Sequence, residues 1–207
     1  MTVSAVNKDR IFIIDEREPN CPQEALEILK EGNKRFIEGL SDFRNICKNR
    51  LNTLKKGQNP HAVVISCSDS RVTPTAIFNL GLGELFEIRV AGNVVDSYGL
   101  ASLEYAIEHL QTPLVVVIGH ENCGVITSAY NELKNNQKSE GNLQKLVGEV
   151  KSNIVGCENI EDAAYKNIQE VVKNLKEHVH IKEKMNKGSL DVVGAYYNLN
   201  GKVDWLY

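Results

Sequence analysis

The spacing of apolar residues changes period several times along the chain, and those changes predict the order of its elements. Ile11, Phe12, Ile13 and Ile14 form an apolar run ahead of the turn-forming Glu18-Pro19-Asn20, so the first twenty residues read as a short arm that packs onto something. From Pro22 the positions Ala25, Leu26, Leu29, Phe36, Ile37 and Leu40 share one face of a helix. Its proline sits in the first turn, where a missing N–H costs nothing. A second, less regular helix carries Leu51 and Leu54 to a stop at Gly57.

The period then shortens. Ala62-Val63-Val64-Ile65, Leu85-Phe86-Glu87-Ile88 and Leu114-Val115-Val116-Val117-Ile118 are short runs rich in β-branched residues, the pattern of buried strands. Between the last two, Leu100, Leu103, Ala106, Ile107 and Leu110 keep helical spacing until Pro113 ends the run. Helical stretches follow Cys123, then again at Leu143, Leu146, Val147 and Val150, after a polar break over Asn135-Asn136-Gln137-Lys138-Ser139. A longer helix carries Ile160, Ala163, Ala164, Ile168, Val171, Val172 and Leu175. Two last strand-like runs, 190–196 and 203–206, flank the turn signal Asn200-Gly201 and predict a hairpin. Strands alternating with helices imply an α/β fold. The expectation is a mainly parallel sheet of about four strands with an antiparallel C-terminal edge strand, flanked by helices and preceded by an N-terminal helical arm.

Composition narrows this without redirecting it. A chain of 207 residues suits one domain with a full core. We divide it into an arm with helices over 1–57, an α/β core over 58–125, and C-terminal helices with the final strands over 126–207. A net charge of −3 argues against nucleic acid or an anionic membrane as main partner. No stretch approaches the roughly 20 apolar residues that span a bilayer, and no secretory leader is evident, so the expected place is the cytoplasm. Five cysteines at irregular spacing make a poor disulfide framework and are better read as thiols or thiolate ligands.

Two segments carry the chemistry: Cys67-Ser68-Asp69-Ser70-Arg71 and Gly119-His120-Glu121-Asn122-Cys123-Gly124, each beginning where a predicted strand ends. In an open α/β sheet, ligands bind at those carboxyl ends. Together the segments offer Cys67, His120 and Cys123, a soft tetrahedral donor set suited to zinc. A structural zinc site closes with four protein ligands, whereas three leave a position for water. Asp69 and Arg71, two residues apart, can form a charge-assisted pair beside the metal. The arginine would keep the carboxylate from becoming a fourth ligand, leaving it to accept a hydrogen bond from a zinc-bound hydroxide. His61, His109, His178 and His180 read as surface or satisfied residues, and Cys21, Cys47 and Cys157 as structural.

The order Cys-Ser-Asp-Ser-Arg-Val, then Gly-His-x-x-Cys-Gly some fifty residues on, resembles the signature of the β-class carbonic anhydrases. The resemblance runs from Asn59-Pro60 through Gly83-Glu84-Leu85-Phe86, Arg89-Val90-Ala91-Gly92-Asn93 and Glu104-Tyr105-Ala106 to Val192-Val193-Gly194-Ala195-Tyr196. It implies zinc on Cys67, His120 and Cys123, with Asp69 and Arg71 as the catalytic dyad. The implied reaction is reversible hydration of carbon dioxide to bicarbonate by zinc-bound hydroxide. It also implies that Gln58 reaches across a dimer interface toward substrate, that Phe86, Tyr105 and Gly124 lie near the same pocket, and that the chain is a homodimer or homotetramer. Val64 stands where a bicarbonate-regulated branch of that family has tryptophan, so the implied branch is the plant-like, open one. The chain departs from common relatives at Thr73-Pro74-Thr75 and Asn79-Leu80, at the pocket rim. Two thiolates cancel the metal's formal charge, so activity is expected to rise toward alkaline pH. Two other readings keep the zinc: hydrolysis of carbon disulfide or carbonyl sulfide, and a non-catalytic zinc protein used for assembly. An intact Asp69 and Arg71 argue against the second.

Overall fold

Strand β1, Ala62–Ser66, is buried along its whole length and lies inside the sheet between two other strands. In the computed structural model, which describes residues 18–41, 46–135 and 138–206, β2 (Leu85–Arg89) flanks it on one side and β3 (Leu114–His120) on the other. The sheet continues through β4 (Asp191–Tyr197) to β5 (Val203–Leu206), in the order β2-β1-β3-β4-β5. Every pairing is parallel except the last, where β4 and β5 are antiparallel across the hairpin predicted at Asn200-Gly201. The apolar run Ile11–Ile14 lies outside the described residues.

Side chains alternate across a strand, so a sheet covered on both faces needs apolar residues at every position. Val63, Ile65, Val115, Val117 and Val192 face one layer, built by α4 (Ser97–His109), α5 (Gly124–Asn135), α6 (Gly141–Asn153) and α7 (Ile160–Glu177). Ala62, Val64, Leu114, Val116, Ile118 and Val193 face the other, where α1 (Pro22–Ile37) and the short α3 (Pro74–Ile77) pack. The expected stripe on α1 is shifted. Ile28 is buried, while Ile37 is exposed and Leu40 lies beyond the helix end. Gly32 and Asn33 face inward instead: an added Cβ on Gly32 would sit 1.8 Å from the Phe78 carbonyl oxygen. Asn33 donates to the carbonyls of Ile77 and Gly201 and accepts from the Val203 N–H.

The remaining elements are α2 (Lys48–Thr53), which runs through a 3-10 turn to Gly57, and α8 (Val179–Asn186), which follows α7 after a break at His178. The sequence reading ran no helix over either 74–77 or 179–186. No helix of the described residues is long and apolar enough to cross a membrane.

The strand order decides where a site can form. After β1 the chain turns toward β2, and after β3 it turns toward β4 on the opposite side. The loops leaving β1 and β3 therefore diverge, and the crevice between them is the switch point at which open α/β sheets bind ligands.

Candidate metal centre

Cys67 follows the last residue of β1, His120 is the last residue of β3, and Cys123 immediately precedes α5. All three are buried, and their ligand atoms lie within 4.8 Å of one another. The two sulfurs are 4.0 Å apart. Among the described residues no other group of His, Cys, Asp and Glu side chains comes together in this way.

Each donor is aimed by its backbone. The His120 Nδ1 lies 2.9 Å from the Glu121 carbonyl oxygen, which can only accept, so Nδ1 carries the hydrogen and Nε2 presents a lone pair. That Nε2 is buried and has no hydrogen-bond partner. A buried acceptor left unmade costs free energy, and a metal ligand is the role that satisfies it. Glu121 is fixed in turn by the end of the hairpin: its N–H donates to the Tyr197 carbonyl and its carboxylate accepts from the Leu199 N–H. The two thiols are hydrogen-bond partners, so the ionisation of each bears on the other. The hydrogen bond from Cys123 is the largest cause holding Cys67 below the ordinary thiol range, and the same bond, then burial, pushes Cys123 up. One negative charge forms readily there, while a second calls for a cation. The donor set and the orphan nitrogen both fit zinc.

The loop after Cys67 places the dyad. Arg71 donates from Nε to Asp69 Oδ1 at 2.9 Å and from Nη2 to Oδ2 at 2.8 Å, a bidentate pair, while its backbone N–H also reaches Oδ1 at 2.9 Å. Arg71 Nη2 further reaches the Asn122 carbonyl, tying the two chemical segments together. Asp69 Oδ2 stands 4.0 Å from His120 Nε2. The arginine's hydrogen bonds, the largest cause, hold the Asp69 carboxyl well below its usual range.

Gln58, Phe86, Tyr105 and Gly124 are less tightly placed. Phe86 on β2 and Tyr105 on α4 face each other with ring centroids 6.3 Å apart, and Tyr105 is 48% exposed. Gln58 lies exposed between Gly57 and Pro60, and Gly124 opens α5 with free space around it. None of the four lines the cavity of about 740 Å³ that opens beside His120 and Cys123. Of the departing rim residues, Thr75 donates from its N–H and hydroxyl to Glu87, and Asn79 accepts from Arg35.

Sequence reasoning missed three supports of the site. Arg89, at the end of β2, donates to the carbonyls of Cys67, Asp69 and Val72, so one guanidinium staples the loop. A charge closing an apolar strand was the available signal. The Gly92 N–H donates to Cys67 Sγ at 3.3 Å, and Asn167 on α7 donates to the Gly92 carbonyl. Nothing in the spacing along the chain points to Asn167. Cys21, Cys47 and Cys157 are free thiols, two half-buried and Cys47 exposed, and none of them joins the group of Cys67, His120 and Cys123.

Comparison with known proteins agrees with this geometry. The family model described as carbonic anhydrase matches residues 62–203. Carbonic anhydrase 2 of Mycobacterium tuberculosis is 35% identical over 189 residues, covering 88% of this chain and 91% of that relative. Among solved structures, a β-carbonic anhydrase of Sordaria macrospora matches with a TM-score of 0.69 at 26% identity, over 75% of this chain and 85% of its own. The β-carbonic anhydrase CafA of Aspergillus fumigatus gives 0.67 at 29% identity, over 89% of each. With the motifs at the strand ends, the sheet order and these relatives in agreement, the chain belongs to the β-carbonic anhydrase family.

Proposed function

We propose that the chain is a single-domain zinc carbonic anhydrase in which Cys67, His120 and Cys123 hold the metal while Asp69 and Arg71 act on the reacting water. The observation that carries the reading is the orphaned, buried Nε2 of His120, grouped with two thiols and 4.0 Å from a carboxylate that an arginine holds in place. When bound at such a set, zinc acts as a Lewis acid and brings the pKa of a water molecule down toward neutrality.

The chain's own groups do the rest. Arg71 occupies both carboxylate oxygens of Asp69, which favours a fixed acceptor over a fourth metal ligand. Oδ2 keeps lone-pair capacity and accepts the hydrogen bond of the reacting water, orienting it toward carbon dioxide. A carboxyl held this acidic is a poor base, so Asp69 orients and does not keep the proton. Water and carbon dioxide become bicarbonate, and the released proton passes to buffer.

The reading extends to the rim, where Gln58, Phe86, Tyr105 and Gly124 bind substrate in a homodimer or homotetramer. Support comes from the exposed Gln58 and Tyr105, which a second copy would cover, and from the Sordaria macrospora relatives, described as tetrameric. Five free cysteines favour the reducing cytoplasm. The test is stopped-flow hydration of carbon dioxide on metal-quantified protein. Activity should follow bound zinc, vanish with chelator and return on reloading; equal activity in metal-free protein would sink the proposal.

A further inference from the structure

We propose that Asn167 is a positioning residue for the metal centre, setting through Gly92 how strongly the Cys67 thiolate donates to the metal. The proposal rests on the zinc site read above. Asn167 is fully buried on the apolar face of α7, beside Ala163, Ala164, Ile168 and Val171. An amide in such a place costs free energy unless both its ends are paired. Both are. Asn153, at the end of α6, donates from Nδ2 to Asn167 Oδ1 at 2.9 Å, and this turns the Asn167 Nδ2 toward the Gly92 carbonyl, 3.1 Å away.

Gly92 is where that anchor matters. It sits in the turn Ala91–Asn93 at φ 72°, a conformation that only glycine adopts freely, and without a side chain it has little of its own to hold it there. A Cβ at this position would press on Val125, 3.0 Å away. Fixing its carbonyl fixes the residue's orientation, and so the aim of its N–H at Cys67 Sγ, 3.3 Å distant. A hydrogen bond to a thiolate draws charge from the sulfur and weakens its donation to a bound metal, and partners at this remove commonly tune both affinity and reactivity. Asn153, Asn167, Gly92 and Cys67 thus form one relay from the α6–α7 contact to a ligand atom.

Cobalt(II) loaded in place of zinc gives the readout, because its sulfur-to-metal charge-transfer band reports the energy of the sulfur lone pair. Asn167→Leu should move that band to lower energy and weaken metal retention against a chromophoric chelator by about 10-fold, because a sulfur no longer held in place loses more in preorganisation than it gains in donation. Asn153→Ala should move the band the same way by less. Val171→Ala, one turn along α7 and outside the relay, should lower Tm and leave the band in place. A folded Asn167→Leu protein with the wild-type band and affinity overturns the proposal. If that variant does not fold, Asn153→Ala decides, and an unmoved band in it overturns the proposal equally. Wild-type protein that takes up cobalt without thiolate bands would overturn the metal-site reading itself, whereas wild-type bands with unmoved variants refute only the role of Asn167.

Discussion

Asp69 shows how a single carboxylate is given one role and denied another. Its two oxygens are engaged by one guanidinium, so replacing it with asparagine removes both the ion pair and the anionic acceptor. We expect Asp69→Asn to keep its metal, measured by metal content, and to lose turnover by about 100-fold or more, the scale of a lost orienting contact at the reacting group; undiminished turnover would refute its role. The same pair gives a pH signature in stability. Arg71 holds the folded carboxyl below its ordinary value of 3.8, so the stabilisation is complete above that value and fades as pH falls beneath it toward the folded value. The Tm difference between wild type and Asp69→Asn should therefore stay constant from pH 5 upward and shrink below pH 4. At this scale Cys67, His120, Cys123, Asp69 and Arg71 were legible, because each lies within a few residues of a predicted strand end. Asn167 was not: a polar residue on an amphipathic helix reads as an interruption until the partner that pairs it is known.

Elements meet where side chains are missing. Helix α1 approaches α3 so closely at Gly32 that a methyl group would overlap the Phe78 carbonyl oxygen, which is backbone and cannot swing aside. Gly32→Ala should destabilise the fold by roughly 2–3 kcal/mol, read as a lower urea midpoint with an unchanged slope; a neutral result would mean that α1 sits elsewhere. The strands were legible as short continuous runs of β-branched residues and the longer helices from their 3.6 period, since either kind of apolar run must be buried somewhere. The four residues of α3 and the break between α7 and α8 were not, because four residues hold barely one helical turn and offer no period to read. The shifted stripe on α1 has a similar cause. Asn33 points inward to serve Ile77 at the end of α3 and Gly201 and Val203 of the hairpin, partners up to 170 residues away that only the folded chain brings together.

For the whole molecule, a metal held at the proposed centre would also be a ligand of the fold. The crevice between the loops after β1 and β3 gathers two buried thiols and an imidazole, so a cation bound there would stabilise the native state selectively. At free metal about 100-fold above Kd this contributes about 2.7 kcal/mol, so chelation should lower Tm by roughly 5–10 °C in a chain of this size. A Tm indifferent to chelator would mean that the centre takes no part in the fold. The local order of residues determined the elements, the candidate ligand set and the family, because these rest on short apolar runs, periodicity and short motifs that a strand end keeps together. The tertiary structure alone decided which elements are neighbours. It set β1 beside β3 so that their loops diverge over one crevice, turned His120 by a carbonyl that the hairpin secures, and led Asn153 and Asn167 through Gly92 to Cys67. Hydrogen bonds between residues far apart in the chain leave no trace in local spacing, and they exist only once burial has made satisfying each polar group worth more than leaving it to water.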